Sequence, residues 1–413
     1  MSNAFKVVDM ITTEALRIAH EKTAFIGTVD RQYDDSFTYE PGKGKHGQTL
    51  RVREPNVYTR RQGSRVMDVQ DQNETSQTIT VATQDGIDMR FNSLELLQSV
   101  NSGAAFDDLS KNYIAPAMAG LMSAIEGDFL SYCTKLVYNV AGTAGTPPTD
   151  LAALGSARAK LNQGLAPKDG NRYVQMDSVT MGGMVNGLKG LFQDSTQIKE
   201  QYREGMLGRT AMADFYENER VYTHTLGSDV TINTDAAALV TDGGAIMDFH
   251  TTTASAATVG SVFTVAGVYA AHPETKQSYG SLQQFVIVTT GGTTTSSTVS
   301  PTIYLTGAKK NVVTATGGTL LTTDFNSKTL TFVGGASTSY VQNLMYHKEA
   351  FQFITADLPV YAKAEQCVRK TQDGISLRVW LDSDIRNDEL LMRIDILYGF
   401  AALRPAWACR VTS

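Results

Sequence analysis

Apolar residues recur at helical spacing through one long stretch of the sequence. Phe106, Leu109, Tyr113, Ala117, Leu121, Ile125, Phe129, Tyr132, Leu136 and Val140 follow at intervals of three or four, which lines them along one helix face. Pro116 falls inside this run and fits the first turn of the main helix, where its missing N–H costs nothing. The turn-rich stretch from Gly142 to Pro148 ends the pattern. A weaker amphipathic helix is expected over Asp9–Ala24, with Ile11, Ala15, Ile18 and Ala19 opposite Glu14, Arg17, Glu21 and Lys22. Further helices are expected over Leu151–Leu165, over Ser178–Phe192, and over Ile198–Phe215, the last interrupted by Gly205 and Gly208. A short strand, Tyr173–Met176, separates the first two.

Alternating patterns predict strands elsewhere. Thr49–Arg53 and Thr78–Val81 alternate on either side of a long polar connection, after the glycine-rich turn Pro41–Gly47. They read as a protruding β-hairpin with little core of its own, ordered by packing on a neighbour. Near the end, Ile375–Trp380 and Leu391–Leu397 form a strong antiparallel pair, joined by an acidic turn around Asp382, Asp384, Asp388 and Glu389. Between about Leu226 and Tyr340 the texture changes. Charge nearly vanishes, and Thr, Ser, Gly and β-branched residues take over, as in Thr251–Thr253, Val262–Val265 and Gly291–Thr295. One texture set inside another reads as a β domain inserted into an α/β host.

Composition narrows the function classes. The chain has 413 residues, room for two or three domains, and a formal net charge of −6, which argues against a general polyanion binder. The cysteines, Cys133, Cys367 and Cys409, are few and widely spaced, so neither a zinc site nor a disulfide framework is expected. Met1 to Lys6 show no apolar signal core, and no apolar stretch is long enough to span a bilayer. A soluble protein made in a cytoplasm, with no membrane contact, is expected.

Catalytic motifs are missing. Gly42–Thr49 superficially resembles a phosphate loop, but lacks the closing Gly-Lys-Ser/Thr and runs into a strand where a helix N-terminus is needed. The Asp382–Glu389 turn fails calcium-loop spacing, with Arg386 at the third ligand place. No His-x-x-x-His pair or Gly-x-Ser-x-Gly elbow occurs. The expectation is a protein without enzyme activity, cofactor or metal. One dense basic group remains: Arg51, Arg53, Arg60, Arg61 and Arg65. Contact with nucleic acid, pairing with acidic residues of a neighbouring subunit, and a merely solvated face all compete. Aromatic interleaving is limited to Tyr58, which disfavours a base-stacking groove. Arginine's planar fork suits carboxylate pairing between subunits, and these five are the candidate intersubunit contacts.

Three stretches carry a family resemblance. Asp107-Asp108-Leu109 leads into the long helix, Gln201–Arg209 holds a Tyr-Arg-acid-Gly turn, and Arg393–Pro405 contains a strand followed by Tyr398-Gly399 and Arg404-Pro405. In this order, with a β insertion between the second and third, they resemble the major capsid proteins of tailed bacteriophages, and within them the P22-type coat proteins. The resemblance implies an α+β fold of the HK97 type. Its parts would be an N-arm helix (1–32), an E-loop hairpin with flanking strands (33–90), a P-domain spine helix (91–150), a first A-domain segment (151–226), an inserted Ig-like or telokin-like I-domain (227–341), and a return through A- and P-domain strands (342–413). It implies a coat protein that forms pentamers and hexamers around a scaffolding protein in an icosahedral procapsid. That shell would expand on DNA packaging through a portal, enclose double-stranded DNA without sequence-specific binding, and accept decoration proteins in some relatives. The chain would be made in the host bacterial cytoplasm and end in the virion capsid. The alternatives are an encapsulin-like nanocompartment, another phage structural protein or adhesin with an Ig-like module, and an enzyme with an appended Ig-like domain.

Overall fold

The computed structural model describes residues 7–31, 49–60, 63, 65–67, 69, 76–92, 110–188, 209–228, 230, 232–237, 239–250, 258–290, 296–361 and 366–413. They fall into two compact units, each built from several chain segments. One comprises 1–53, 76–129 and 351–401; the other comprises 54–75, 130–350 and 402–413.

The core of the first unit is a six-stranded sheet. In spatial order its strands are Asp30–Arg31, Phe351–Ala356, Glu389–Ala402, Ile375–Asp384 and Gln366–Gln372, with Thr83–Asn92 also paired to Glu389–Ala402. The expected hairpin near the end is present: Leu377 lies opposite Ile396 and Asp384 opposite Glu389. The N-terminal helix Val7–Lys22 buries Ile11, Ala15, Leu16, Ile18 and Ala19, the predicted apolar stripe plus one leucine.

The long helix runs Ala115–Leu136, preceded by a wider π-helical turn at Ser110–Ile114, so Pro116 does sit at its start. Within the first unit, Met118, Met122, Ile125 and Phe129 of this helix are fully buried. Phe129 is the hub of an aromatic cluster, with ring centroids 4.8 Å from Phe25, 5.7 Å from Phe353 and 5.1 Å from Phe400. Thr49–Arg53 and Ser76–Thr80 form the predicted hairpin strands as a separate two-stranded sheet, with Arg51 opposite Thr78.

The second unit contains two sheets. A mixed sheet runs Val140–Gly142, Ala408–Thr412, Ser339–His347, Arg172–Met176 and Asp214–Glu217, with Thr223–Thr225 also paired to Ser339–His347. A seven-stranded sheet draws every strand from residues 233–332, and its core cluster, from Leu226 to Tyr340, includes Phe249, Phe263, Phe285 and Phe325. The stretch leaves the mixed sheet after Thr223–Thr225 and returns at Ser339–His347, and these two strands pair with each other. Strand Val262–Ala271 is central, bonded to Ser278–Thr290 on one side and to Val312–Val313 and Leu330–Phe332 on the other.

Three expectations need correction. The long helix ends at Leu136; Val140 lies in a strand parallel to Ala408–Thr412. The predicted helix over Ile198–Phe215 ends instead in strand Asp214–Glu217, because Ala211 and Met212 take positive φ values of 53° and 65° in a tight turn no helix passes through. The other residues of that prediction up to Gly208 lie outside the described residues. Ala408–Thr412 was not expected as a strand. It is short and buried at every position, so it shows no alternation to read.

Removing the hub ring tests this account of the first unit. Phe129→Ala should lower the unfolding free energy by about 3–5 kcal/mol, measured by denaturant unfolding of the unassembled subunit.

Candidate assembly surface and the joint of the seven-stranded sheet

Alternation along Thr49–Arg53 puts Arg51 and Arg53 together on the exposed face of their strand. Both belong to the first unit, whereas Arg60 and Arg65, also exposed, belong to the second; Arg61 lies outside the described residues. The five arginines are therefore not one described cluster. Sequence reasoning missed what accompanies them. Val66, Met67 and Val69 are 76%, 79% and 78% exposed, and Val57 and Tyr58 are about half exposed. The signal was present as an apolar Val-Met-x-Val run inside a polar loop. Arginine with methionine and an aromatic ring is the composition that interface cores favour.

The ending motif has a structural role. The Tyr398 hydroxyl donates to Asp85 at 2.6 Å, and burial followed by this bond raises its pKa. Gly399 is needed for close approach, since a Cβ there would lie 2.3 Å from the Thr80 carbonyl oxygen. In the second unit, Arg404 stacks 4.2 Å above the Trp407 ring and pairs with Glu349 at 3.1 Å. Of the Gln201–Arg209 motif only Arg209 is described. It donates to the Gly170 carbonyl at 2.7 Å. Asp107, Asp108 and Leu109 lie outside the described residues.

The seven-stranded sheet meets the mixed sheet through a buried arginine. Arg410 is 1% exposed and donates through Nε to the Val137 carbonyl and through Nη1 to the Gly260 carbonyl, both at 2.7 Å. Burial pulls its pKa down to about 10. Beside it His224, also 1% exposed, shares a hydrogen bond with Ser261 at 3.2 Å. Lys135 lies 4.9 Å above the Tyr222 ring, and Tyr340 meets His224 edge-on. Gly260, at φ +92°, fits where a Cβ would press on Lys135 at 3.1 Å and on His224 at 3.5 Å. A second clip lies nearby: the Gln284 amide accepts from Val140 N at 3.0 Å and donates to Val140 O at 3.2 Å. Nothing in the sequence marked Arg410, whose acceptors lie 150 and 273 residues away, or His224, whose hydrogen-bond partner Ser261 lies 37 residues away.

Catalytic and metal-binding arrangements were also sought. Among the described residues no group of three or more His, Cys, Asp or Glu is placed to hold a metal ion. Asp384 accepts from the Arg386 N–H and the Asn387 side chain, which makes the acidic segment a self-bonded turn. No described helix is long and apolar enough to cross a membrane.

The joint carries a pH dependence. Burial first, then Arg410 and Lys135, lower the His224 pKa from 6.5 to about 4. Between those values the unfolded chain binds a proton that the folded chain refuses, so stability falls as pH falls through the window. Equilibrium unfolding from about pH 7 down to about pH 4 should cost the wild type on the order of 2–3 kcal/mol more than His224→Gln.

Comparison with known proteins assigns this architecture. No curated protein sequence matches the chain. Among solved structures, that of Mycobacterium phage Che8 is 11% identical, covers 94% of this chain and 90% of its own, and superposes with a TM-score of 0.47. The capsid of Ralstonia phage GP4 is 8% identical, with coverage of 94% and 87% and a TM-score of 0.45. The virus-like particle from Pyrococcus furiosus is 6% identical, with coverage of 98% of each chain and a TM-score of 0.41. The assignment itself rests on sequence: the family described as "P22 coat protein - gene protein 5" matches residues 112–409. The chain belongs to the P22 coat protein family and is a major capsid protein, a structural subunit that assembles with copies of itself into a phage shell.

Proposed function

We propose that this coat protein forms pentamers and hexamers around a scaffolding protein, and that the resulting procapsid expands as DNA is packaged through a portal. Decoration proteins are an optional addition, and the genome is enclosed without sequence-specific contacts. A chain of net charge −6 suits a lining along which DNA must slide. We assign the domain boundaries as the family resemblance orders them, with 33–90 as the E-loop and 227–341 as the inserted I-domain. Support for the insertion comes from the pairing of Thr223–Thr225 with Ser339–His347, which brings the two ends of the 226–338 stretch together.

The observation that carries the assembly reading is the exposed apolar trio Val66, Met67 and Val69, which follows the exposed Arg60 and Arg65 along the chain. Burying one such side chain is worth about 1.5–3 kcal/mol, and a neighbouring subunit supplies the surface to bury it. Arg51, Arg53, Arg60, Arg61 and Arg65 then pair with carboxylates of that neighbour.

Two experiments test these assignments. Charge reversal of Arg60 and Arg61 together, coexpressed with the scaffolding protein, should abolish closed shells in electron micrographs while circular dichroism of the subunit stays unchanged. Normal particles would remove the arginines from the interface. Replacing residues 227–341 by a short linker strips Arg410 of its Gly260 partner and Val140 of Gln284. It should give misfolded subunits or shells of altered size; wild-type shells would reduce the insertion to decoration.

A further inference from the structure

A cleft of about 280 Å³ opens in the second unit where the end of helix Leu151–Gln163 faces strand Ser278–Thr290. Its size falls just below the usual range of small-molecule sites, about 300–1,000 Å³, which restricts an occupant to a few heavy atoms. Lys160 and Tyr138 line it, and no Asp or Glu is among the lining residues.

The Lys160 ammonium is not needed by its own helix. The last carbonyls are already taken: Lys160 O by Gly164 N, Leu161 O by Ala166 N, Asn162 O by Leu165 N and Gln163 O by the Tyr279 hydroxyl. The nearby amides are also used. Asn139 donates to the Ala406 and Ala408 carbonyls, Gln284 is clipped to Val140, and Gln283 donates to the Gln284 carbonyl. Neither the Lys160 ammonium nor the Tyr138 hydroxyl has a hydrogen-bonding partner among the described residues. Burial disfavours the charged form of both groups, lowering the lysine pKa and raising that of the phenol. The group that favours the ammonium is the Cys409 thiol, which burial keeps protonated with a pKa pushed up to about 12, and a half-buried cation beside a neutral thiol calls for an anion. Leu282, Ala270 and Pro301 supply apolar wall, which selects an anion with a hydrocarbon body over a fully hydrated one.

We infer that this cleft binds a single carboxylate carried on a small apolar body, with Lys160 as its counter-ion and Tyr138 as hydroxyl donor. The carboxylate is either that of a free organic acid or a side-chain carboxylate presented by a neighbouring copy in the shell. Goodness of fit depends on charge: a neutral amide of the same shape leaves the ammonium unpaired.

The test uses the full-length subunit with its lysines dimethylated with ¹³C, followed by NMR during titration with butyrate and, separately, butyramide. Butyrate should move the Lys160 methyl resonance saturably and butyramide should not. Lys160→Met removes that resonance and serves to assign it; in isothermal titration the same variant should weaken butyrate at least tenfold, and Tyr138→Phe severalfold. No saturable shift with butyrate, or an equal shift with butyramide, overturns the inference. Assembled shells separate the two sources. If a neighbouring chain supplies the carboxylate, Lys160 shows the bound resonance without butyrate; if a free acid does, shells respond to butyrate as the subunit does.

Discussion

A buried charge, that of Arg410, ties two elements of the second unit together. Taking a guanidinium out of water costs several kcal/mol even after the protein relaxes. Arg410 recovers this through two carbonyl acceptors, one just past the long helix at Val137, the other at Gly260 beside the seven-stranded sheet. Neither element can shift without stranding the cation. The fork geometry of arginine allows two acceptors from unrelated directions, which a lysine would serve less well. The clip between Gln284 and Val140 fixes the same two elements a few residues away, and Gly260 lets them approach closely enough for both to form.

The first unit solves a similar problem with an internal counter-ion. Arg378 and Asp395, 5% and 0% exposed, pair across neighbouring strands, while Arg393 also reaches Asp395 at 2.8 Å. Arg378 lies near the rings of Tyr361 and Trp380 as well. Breaking such a pair from one side costs more than the pair contributes, because it leaves a buried charge uncompensated. Cohesion in the same unit comes from the aromatic hub at Phe129.

Legibility in the sequence followed the range of the forces involved. The long helix, the hairpin strands and the Ile375–Leu397 pair were read from periodicity, because local spacing sets which face is buried. The switch to a Thr- and Gly-rich texture marked where one sheet gives way to another. Ala408–Thr412 escaped because a strand buried on both faces has no alternation, and Asp214–Glu217 escaped because the preceding turn depends on two residues in left-handed conformations. The arginines of the hairpin region were visible as a cluster in sequence, but the exposure of Val66, Met67 and Val69 emerges only when one asks what fails to cover them. Arg410 and His224 looked like ordinary residues, since their partners are distant along the chain.

Strand order in the mixed sheet also sets a sequence of events. Ala408–Thr412 lies between Val140–Gly142 and Ser339–His347, so an inner strand of the sheet is encoded after both of its neighbours. The seven strands from 233 to 332 need no residue beyond them to complete their ladder. A ribosome making this chain delivers all seven of those strands while the mixed sheet still lacks the partner of its edge strand Val140–Gly142. Local ladders close faster than ones joining distant segments. The seven-stranded sheet is thus complete along the chain before the strand that carries Arg410 has been made.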